Sequence, residues 1–507
     1  MELEQTHIDE IRTAFQNMQT KEDLLSLMNS VKPLLYGEKS VPFELKQLTY
    51  YANPNLGKTR YTEFKIKKKS GGNRSIHAPV NGLKSIQKTL ALILQCVFVP
   101  HKAAMGFVKE KSIVDNAKIH IGNRYVYNID LKDFFQSVDQ ARVWKCMQLK
   151  PFNLNDLNLH KNNFVLPDDL KISNLHTVEK SKNGLFIGYN LIGERFISRE
   201  FILENNAYVI GKKVFDKNYY SVKHMFLNQE NAVTEYVNMI RNGGGRQKIN
   251  NIISNICCTK MIVERKDENG IWHKVSRNVL PQGAPTSPIL TNVVCQRLDY
   301  LLTAVAKRFG LKYSRYADDI TFSSLHNVFQ KESDFLTELE RVILDQGFTI
   351  KASKTRLQVD GMRKEVTGLV VNDNVNVKKR YIKQLRMWLN YWETYGYYKA
   401  EVIFKKDYFK DKGHVKTGQP SLRNVIDGKL NYLQMVKGAK DSTYLKLKNR
   451  FEKLNENTEV NMILQIWEDQ GIENAIAAFD VSKKNSKKRI QINTDFDQSD
   501  YKVIINL

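Results

Sequence analysis

Apolar and polar positions change their spacing several times along the chain, and each change marks a different element. Residues 1 to about 60 carry helical spacing, with Thr20-Lys-Glu-Asp23 forming a capping box ahead of Leu24, Leu25, Leu27 and Met28. From Tyr61 the spacing becomes that of strands. Tyr61, Phe64 and Ile66 precede Lys67-Lys-Lys-Ser-Gly-Gly-Asn-Arg74, and Ile76 follows, which predicts a basic hairpin around a glycine turn. Leu83 to Val99 predicts a helix, Tyr125 to Asp130 a strand running on into Leu131-Lys-Asp-Phe-Phe135, and Ile249 to Cys258 another apolar helix. In Leu311 to Ser324, aromatic and β-branched residues flank Ala317-Asp-Asp319, as expected of two strands meeting at a tight turn. Val366 to Val371 reads as a strand. Amphipathic helices follow, with Leu385, Trp388, Leu389 and Trp392 on one face.

Residues from about 152 to 243 are rich in Asn, Lys and Leu, carry no site signature, and read as an inserted subdomain. Gly243-Gly-Gly245 is a plausible hinge where the main fold resumes. A basic segment, Lys483 to Arg489, precedes a polar tail, and no internal repeat is present.

Composition narrows the class of partner. With 507 residues, several substructures are expected, and a hydrophobic fraction of 42% supplies real cores. Lys+Arg 78 against Asp+Glu 54 leaves a net charge of +24. A folded chain this basic most often works against a polyanion, nucleic acid first and an anionic membrane surface second. No run approaches the roughly 18–20 apolar residues of a membrane span, no amphipathic anchor is visible, and the acidic, polar start is unlike a secretory signal. Cys96, Cys146, Cys257, Cys258 and Cys295 lack Cys-x-x-Cys spacing and read as reduced core residues of a cytoplasmic protein.

Three stretches carry chemistry. Asp318 and Asp319 would repel each other in a hairpin unless a cation lies between them, although turns are also rich in Asp for ordinary reasons. Asp130 ends an apolar strand, as a metal ligand or as a cap. Leu280-Pro-Gln-Gly-Ala-Pro-Thr-Ser-Pro-Ile-Leu290 forces a defined loop before a helix, either a rigid turn or a platform beneath a nucleotide.

Together Asp130-Leu-Lys-Asp-Phe-Phe135, Leu280-Pro-Gln-Gly-Ala-Pro-Thr-Ser-Pro288 and Tyr316-Ala-Asp-Asp319 resemble, in this order, the three central motifs of reverse transcriptases. Asn116-Ala-Lys-Ile-His120 and Val366-Thr-Gly368 resemble elements of the bacterial retron-type enzymes. The resemblance covers roughly residues 61–140 and 244–450. It implies an α+β, right-hand polymerase fold of fingers, a palm with an antiparallel sheet, and a helical thumb. The expected divisions are 1–60 N-terminal helical region, 61–151 fingers and first part of the palm, 152–243 insertion, 244–374 palm, 375–455 thumb and 456–507 C-terminal extension.

The same resemblance implies an RNA-directed DNA polymerase working by two-metal nucleotidyl transfer. Asp130, Leu131, Asp318 and Asp319 would hold two Mg²⁺ ions, with Mn²⁺ as a substitute, and backbone N–H groups after Asp130 would meet the triphosphate. Phe135 falls at the position of the family's steric gate and would favour dNTPs over rNTPs. Lys68 and Arg74 on the basic hairpin would grip phosphates, Lys68 being equally readable as solvated surface. Gln282 and Gly283 would pack near nucleotide and template. Lys354 is a candidate general acid for pyrophosphate departure or a solvated lysine. Asn116, His120, Thr367 and Gly368 are candidate RNA or primer contacts, His120 also having a structural reading. Lysines between Tyr381 and Phe451 would track a duplex backbone.

Within the family, the insertion and tail favour the defence-associated and abortive-infection enzymes, which copy a partner noncoding RNA into cDNA, over a standard retron enzyme making branched RNA-linked DNA. Tyr501 in the tail is a candidate protein primer or an ordinary surface tyrosine. A homo-oligomer is compatible with the chain. The reading from another class is an RNA-binding scaffold with a vestigial polymerase site.

Overall fold

The computed structural model describes residues 3–53, 56, 60–67, 71–154, 245–267, 269–412, 420–474, 476–477 and 479–480, and within 179–226 the backbone of five strands. Lys68, Tyr501, Gly243, Gly244 and the basic segment Lys483 to Arg489 lie outside the described residues. The architecture is mixed helix and antiparallel strand, as expected.

Helices α1 (Gln5–Asn17), α2 (Lys21–Tyr36) and α3 (Leu45–Ala52) open the chain. The Thr20 side chain accepts from the Asp23 N–H, and the Asp23 carboxylate accepts from the Thr20 N–H, closing the capping box in both directions. Strands β1 (Tyr61–Lys67) and β2 (Asn73–Pro79) pair antiparallel from Tyr61↔Pro79 to Lys67↔Asn73. Helix α4 (Asn81–Val97) follows, with Leu83, Ile86, Leu90, Ile93 and Leu94 buried. Next come α5 (Ile113–Lys118), β3 (Tyr125–Asp130) and α6 (Gln140–Met147).

The segment expected as an insertion holds β4 (Glu179–Ser181), β5 (Gly184–Ile192), β6 (Arg195–Ile202), β7 (Asn205–Val214) and β8 (Tyr219–Phe226), an antiparallel sheet in sequential order. Phe152 and Leu154, at the expected start of that insertion, instead fill the main core, at 1% and 0% exposure. After α7 (Gly245–Cys257), β9 (Thr259–Lys266) and β10 (Trp272–Val279) form a separate two-stranded ribbon.

Helix α8 (Ser287–Arg308) leads to β11 (Lys312–Tyr316) and β12 (Asp319–Ser324), then α9 (Asp334–Asp345) and β13 (Arg356–Gln358). The central sheet has the order β11-β12-β3-β13. Because side chains alternate across a sheet, its two faces separate cleanly. Ile129, Ile320 and Phe322 face the helices and join one core with Leu298 and Leu302 of α8 and Phe335 and Leu339 of α9. Asp130, Asn128, Asp319 and Thr321 occupy the other face, where the Thr321 hydroxyl donates to the Asn128 carbonyl oxygen at 2.8 Å.

Short strands β14 (Glu365–Val366), β15 (Leu369–Val371) and β16 (Val375–Asn376) complete this half. The expected single strand from Val366 to Val371 is therefore a hairpin. Thr367 and Gly368 both take positive φ, 45° and 83°, and turn the chain back so that Val366 pairs with Leu369. Val375 pairs with Val371, so the sheet crosses the expected division at 374/375.

Three long helical segments end the described fold: α10 (Lys379–Lys412, broken at Gly396), α11 (Leu422–Lys437) and α12 (Ser442–Gln470). Leu385, Trp388, Leu389 and Trp392 are all buried in a second core with Leu422, Ile426 and Leu430 of α11. Val114, Val126 and Val366 belong to this second core as well, so β3 contributes to both. Helix α12 runs uninterrupted through the expected division at 455/456.

Candidate active site

The hairpin β11–β12 is closed by Tyr316↔Asp319, with Ala317 held at φ 56° between them. Asp319 lies directly across from Asp130 in the register of β12 and β3. Side chains so paired stand about 4.5–5.5 Å apart at Cβ on one face, so three carboxylates converge at one edge of the sheet. The Leu131 N–H donates to the Asp318 carbonyl at 3.1 Å and the Lys351 N–H to the Asp130 carbonyl at 2.8 Å. These bonds fix both aspartates through their main chains.

Lys354, in the 3₁₀ turn Ala352–Lys354, places its Nζ 2.5 Å from Asp130 Oδ2. Asp130 is 4% exposed, while Lys354 remains open to solvent. Loss of solvation raises the Asp318 carboxyl above the usual range, and the charge of Asp130 adds to it, while Lys354 and Arg74 oppose the shift. Asp319 opens toward solvent at the cleft, yet the protein crowding its carboxyl, followed by the charges of Asp318 and Asp130, pushes it up to about 7. Partial burial works to lower Lys354, but its hydrogen bond to Asp130 and the charges of all three aspartates prevail and raise it.

Excess negative charge with one lysine against it is what a divalent cation would relieve. Among the described residues, no three His, Cys, Asp or Glu side chains form a ready-made metal cage. Mg²⁺ is usually held by one or two carboxylates with the remainder from water and substrate phosphates, and the adjacent Asp130 and Asp318 would offer such a pair. The bonds that fix Asp130 and Lys351 leave the Leu131 carbonyl outside this ladder, while the Leu131 side chain is buried. The N–H groups of Leu131 and Lys132 are both spent inside the protein, on Asp318 and Thr349, so these two of the N–H groups after Asp130 are not offered to a triphosphate.

The loop before α8 docks on the basic hairpin. The His77 N–H donates to the Gln282 carbonyl at 2.8 Å, and Gly283 adopts φ 117°. A Cβ at Gly283 would meet Ile76 Cγ2 at 2.8 Å and the His77 carbonyl oxygen at 2.9 Å, so only glycine permits this approach. Arg74 is exposed on β2 and is close enough for its charge to act on Asp318. Phe135 is half-buried, with its ring 5.5 Å from Phe134 and 6.2 Å from Phe107. Phe134 takes the core position, stacked on Phe348 at 5.8 Å.

Residues 239–386 match the family described as reverse transcriptase (RNA-dependent DNA polymerase). The retron Mx65 reverse transcriptase of Myxococcus xanthus is 29% identical over 339 residues, 65% of this chain and 55% of that protein. The retron Ec86 reverse transcriptase of Escherichia coli is 25% identical over 369 residues, 71% of this chain and 78% of that protein. Over about two thirds of its length the chain is thus similar to retron reverse transcriptases. It spans little more than half the length of the Myxococcus relatives, 55% of Mx65 and 52% of Mx162. A solved telomerase from Candida albicans in complex with the TWJ fragment of telomeric RNA aligns at 12% identity and a TM-score of 0.34, covering 82% of this chain and 65% of that one. That likeness is too distant to carry an argument.

Two RNA contacts expected from the resemblance are corrected by the structure. Asn116 and His120 are 1% and 0% exposed and pack against Ser314 and Ser323 of the central sheet. Ser314 donates to Asn116 Oδ1 at 2.6 Å, so it must accept from His120 Nε2 at 2.8 Å, and His120 Nδ1 then accepts from Ser323 at 2.7 Å. Asn116 Nδ2 reaches the Thr367 hydroxyl at 3.4 Å. Burial, with the nearby Lys312 charge, pushes His120 down to about 3, so the ring is neutral and works as a relay of structural hydrogen bonds. Thr367 is half-buried and Gly368 exposed at the hairpin tip, so Gly368 alone of the four presents open surface.

Sequence reading passed over Arg315, which is fully buried under the same turn. Its Nε and Nη2 fork Asp299 at 2.8 and 2.6 Å, Nη1 donates to the Ala317 carbonyl at 3.2 Å, and Nη2 also reaches Asn292 Oδ1 at 3.1 Å. A signal was present: a cation in step with Tyr313 along the strand, on the apolar side of its alternation, opposite a helix bearing Asn292 and Asp299 two turns apart.

Among the described residues, no helix is long and apolar enough to cross a membrane.

Proposed function

We propose that this chain is an RNA-directed DNA polymerase with a right-hand fold, in which the central sheet is the palm, the basic hairpin β1–β2 belongs to the fingers, and α10 to α12 are the thumb. The observation that carries the reading is the convergence of Asp130 and Asp319 in cross-strand register, with Asp318 in the turn beside them and Lys354 on Asp130. The net charge of +24 suits a polyanionic template and product.

Asp130 and Asp318 would hold the metal pair, through their carboxylates and the Leu131 carbonyl. Held there, two Mg²⁺ ions would supply activation of the primer hydroxyl and charge neutralisation at the α-phosphate. The chain's own residues do the rest. Arg74 faces the acidic cluster from the fingers side, where a guanidinium can fork phosphate oxygens. Gln282 and Gly283 form a platform against β2 for the nucleotide. Phe135, backed by Phe107 and Phe134, would meet the sugar and select against a 2′-hydroxyl. Lys354 is protonated at neutral pH and stands beside the reacting centre, suited to donate to the departing pyrophosphate.

The template is a partner noncoding RNA and the product cDNA, with antiphage defence as the biological setting favoured by the insertion and C-terminal extension. A retron enzyme making branched RNA-linked DNA is the second reading, favoured because the related proteins named above are retron reverse transcriptases. Purified protein, given a primed RNA template, dNTPs and Mg²⁺, is expected to extend the primer. No extension on any primed RNA would sink the polymerase reading. Sequencing the RNA and DNA that copurify separates a branched retron product from other cDNA. Biological activity retained by Asp318→Ala with Asp319→Ala would favour the scaffold.

A further inference from the structure

We propose that Arg315 is a positioning residue for nucleotide addition, holding the Tyr316-Ala-Asp-Asp319 turn and the backing of Phe135 in one rigid network through Asp299 and Asn292. The proposal rests on the polymerase reading above and adds a group that does not touch substrate.

The network is closed on every side. Arg315 is fully buried, its guanidinium forks Asp299, and the remaining nitrogen donates to Ala317, the residue whose left-handed φ of 56° makes the turn. Left-handed backbone is disfavoured for a residue with a Cβ and persists only where its surroundings over-determine it. Arg315 supplies part of that constraint. Asp299 Oδ1 also accepts from the Tyr313 hydroxyl at 2.7 Å. Asn292, held by Arg315, donates from Nδ2 to the carbonyls of Gly106 and Phe107 at 3.0 and 3.4 Å.

That second link reaches the site from the other direction. A Cβ at Gly106 would lie 2.5 Å from the Ala317 nitrogen, so the 106–107 loop is pressed against the acidic turn. Phe107 packs on Phe135. Main-chain bonds from Met105 N–H to the Arg315 carbonyl at 2.7 Å and from Arg315 N–H to the Ala103 carbonyl at 2.8 Å lock the loop along β11. One buried cation thus ties the carboxylates to the residue that would read the sugar.

The test must separate positioning from stability, because removing one partner of a buried pair leaves the other charged and unpaired. Replacing the whole triad by apolar side chains, Arg315→Met with Asp299→Leu and Tyr313→Phe, avoids that penalty and removes the bond to Ala317. The folded triple variant is expected to lose on the order of 100-fold in kcat on a primed RNA template, the cost of a roughly 1 Å misplacement. KM for dNTP should change little, and Mn²⁺ binding measured by electron paramagnetic resonance should weaken. Wild-type kcat and Mn²⁺ binding in a cooperatively melting triple variant would overturn the proposal while leaving the polymerase reading intact. If the triple variant does not melt cooperatively, Arg315→Lys carries the test. A lysine keeps the charge opposite Asp299 but cannot reach Asp299, Asn292 and Ala317 together, so the same kcat loss is expected, and an unchanged kcat overturns the idea. No extension by the wild-type protein would remove the polymerase reading and this proposal with it.

Discussion

The two faces of the central sheet treat charge in opposite ways within a few residues of each other. On the helix-covered face, Arg315 and Asp299 are both fully buried, and hydrogen bonds from Tyr313 and to Asn292 and Ala317 use the remaining polar atoms. On the open face, Asp130, Asp318 and Asp319 crowd together with Lys354 as the cation in direct contact. The first cluster is complete without a ligand, and completeness is what burial of charge demands. The second keeps a surplus of negative charge that a folded protein would not retain for stability alone. Satisfied charge builds the turn, and unsatisfied charge on its other side waits for a cation.

The contrast can be broken first on the open face. Asp130→Asn or Asp318→Asn should lower primer extension on the order of 10³-fold or more, as loss of a preorganised electrostatic group does, with a cooperative melt preserved. An active variant would mean that the open-face cluster is not the reacting centre. On the covered face the effect should fall on stability instead. Asp299→Asn leaves the Arg315 charge buried without its carboxylate and should cost about 3–5 kcal/mol in denaturant unfolding. A loss below about 1 kcal/mol would put the pair in the class of exposed, weak salt bridges.

Metal addition sharpens the comparison further. A cation bound by the folded state alone stabilises it by about 2.7 kcal/mol at one hundred times its Kd. Mg²⁺ should therefore raise the Tm of the wild-type protein and do so far less for Asp130→Asn with Asp318→Asn. Equal shifts in both would place the binding elsewhere.

The smallest expected effect is a pH dependence. Asp319 is pushed up to about 7 in the fold from its ordinary 3.8, so the native state binds the proton more tightly than the unfolded chain. Its deprotonation opposes folding, and stability from this group is lost as pH rises from about 4 through about 7. In metal-free buffer, the Tm of Asp319→Asn relative to wild type should rise between pH 5 and pH 8. A flat difference would contradict the shift.

Much of the site was legible along the chain because its parts are local. Tyr316-Ala-Asp-Asp319 announces a hairpin by its flanking strand residues, and Thr20-Lys-Glu-Asp23 announces a helix by a cap that closes within one turn. Other parts were not. The Val366-Thr-Gly368 stretch has strand composition, and only the backbone angles at Thr367 and Gly368 turn it into a hairpin. Asn116 and His120 are polar residues whose burial depends on where α5 packs, so their structural role could not be separated from surface contact in sequence. Gly283 looks like any loop glycine until Ile76 and His77, some two hundred residues away, are seen to occupy the space of its Cβ.

The sequence by itself determined the chemistry: which carboxylates, which loop and which basic hairpin belong together, because residue type and short spacing dictate what groups can do. Tertiary structure decided their arrangement. Cross-strand register put Asp130 opposite Asp319, helix packing drove Arg315 under the turn, and a close backbone contact made glycine necessary at 283. Those are long-range facts, set by which faces bury their apolar residues together, and no window of sequence contains both partners.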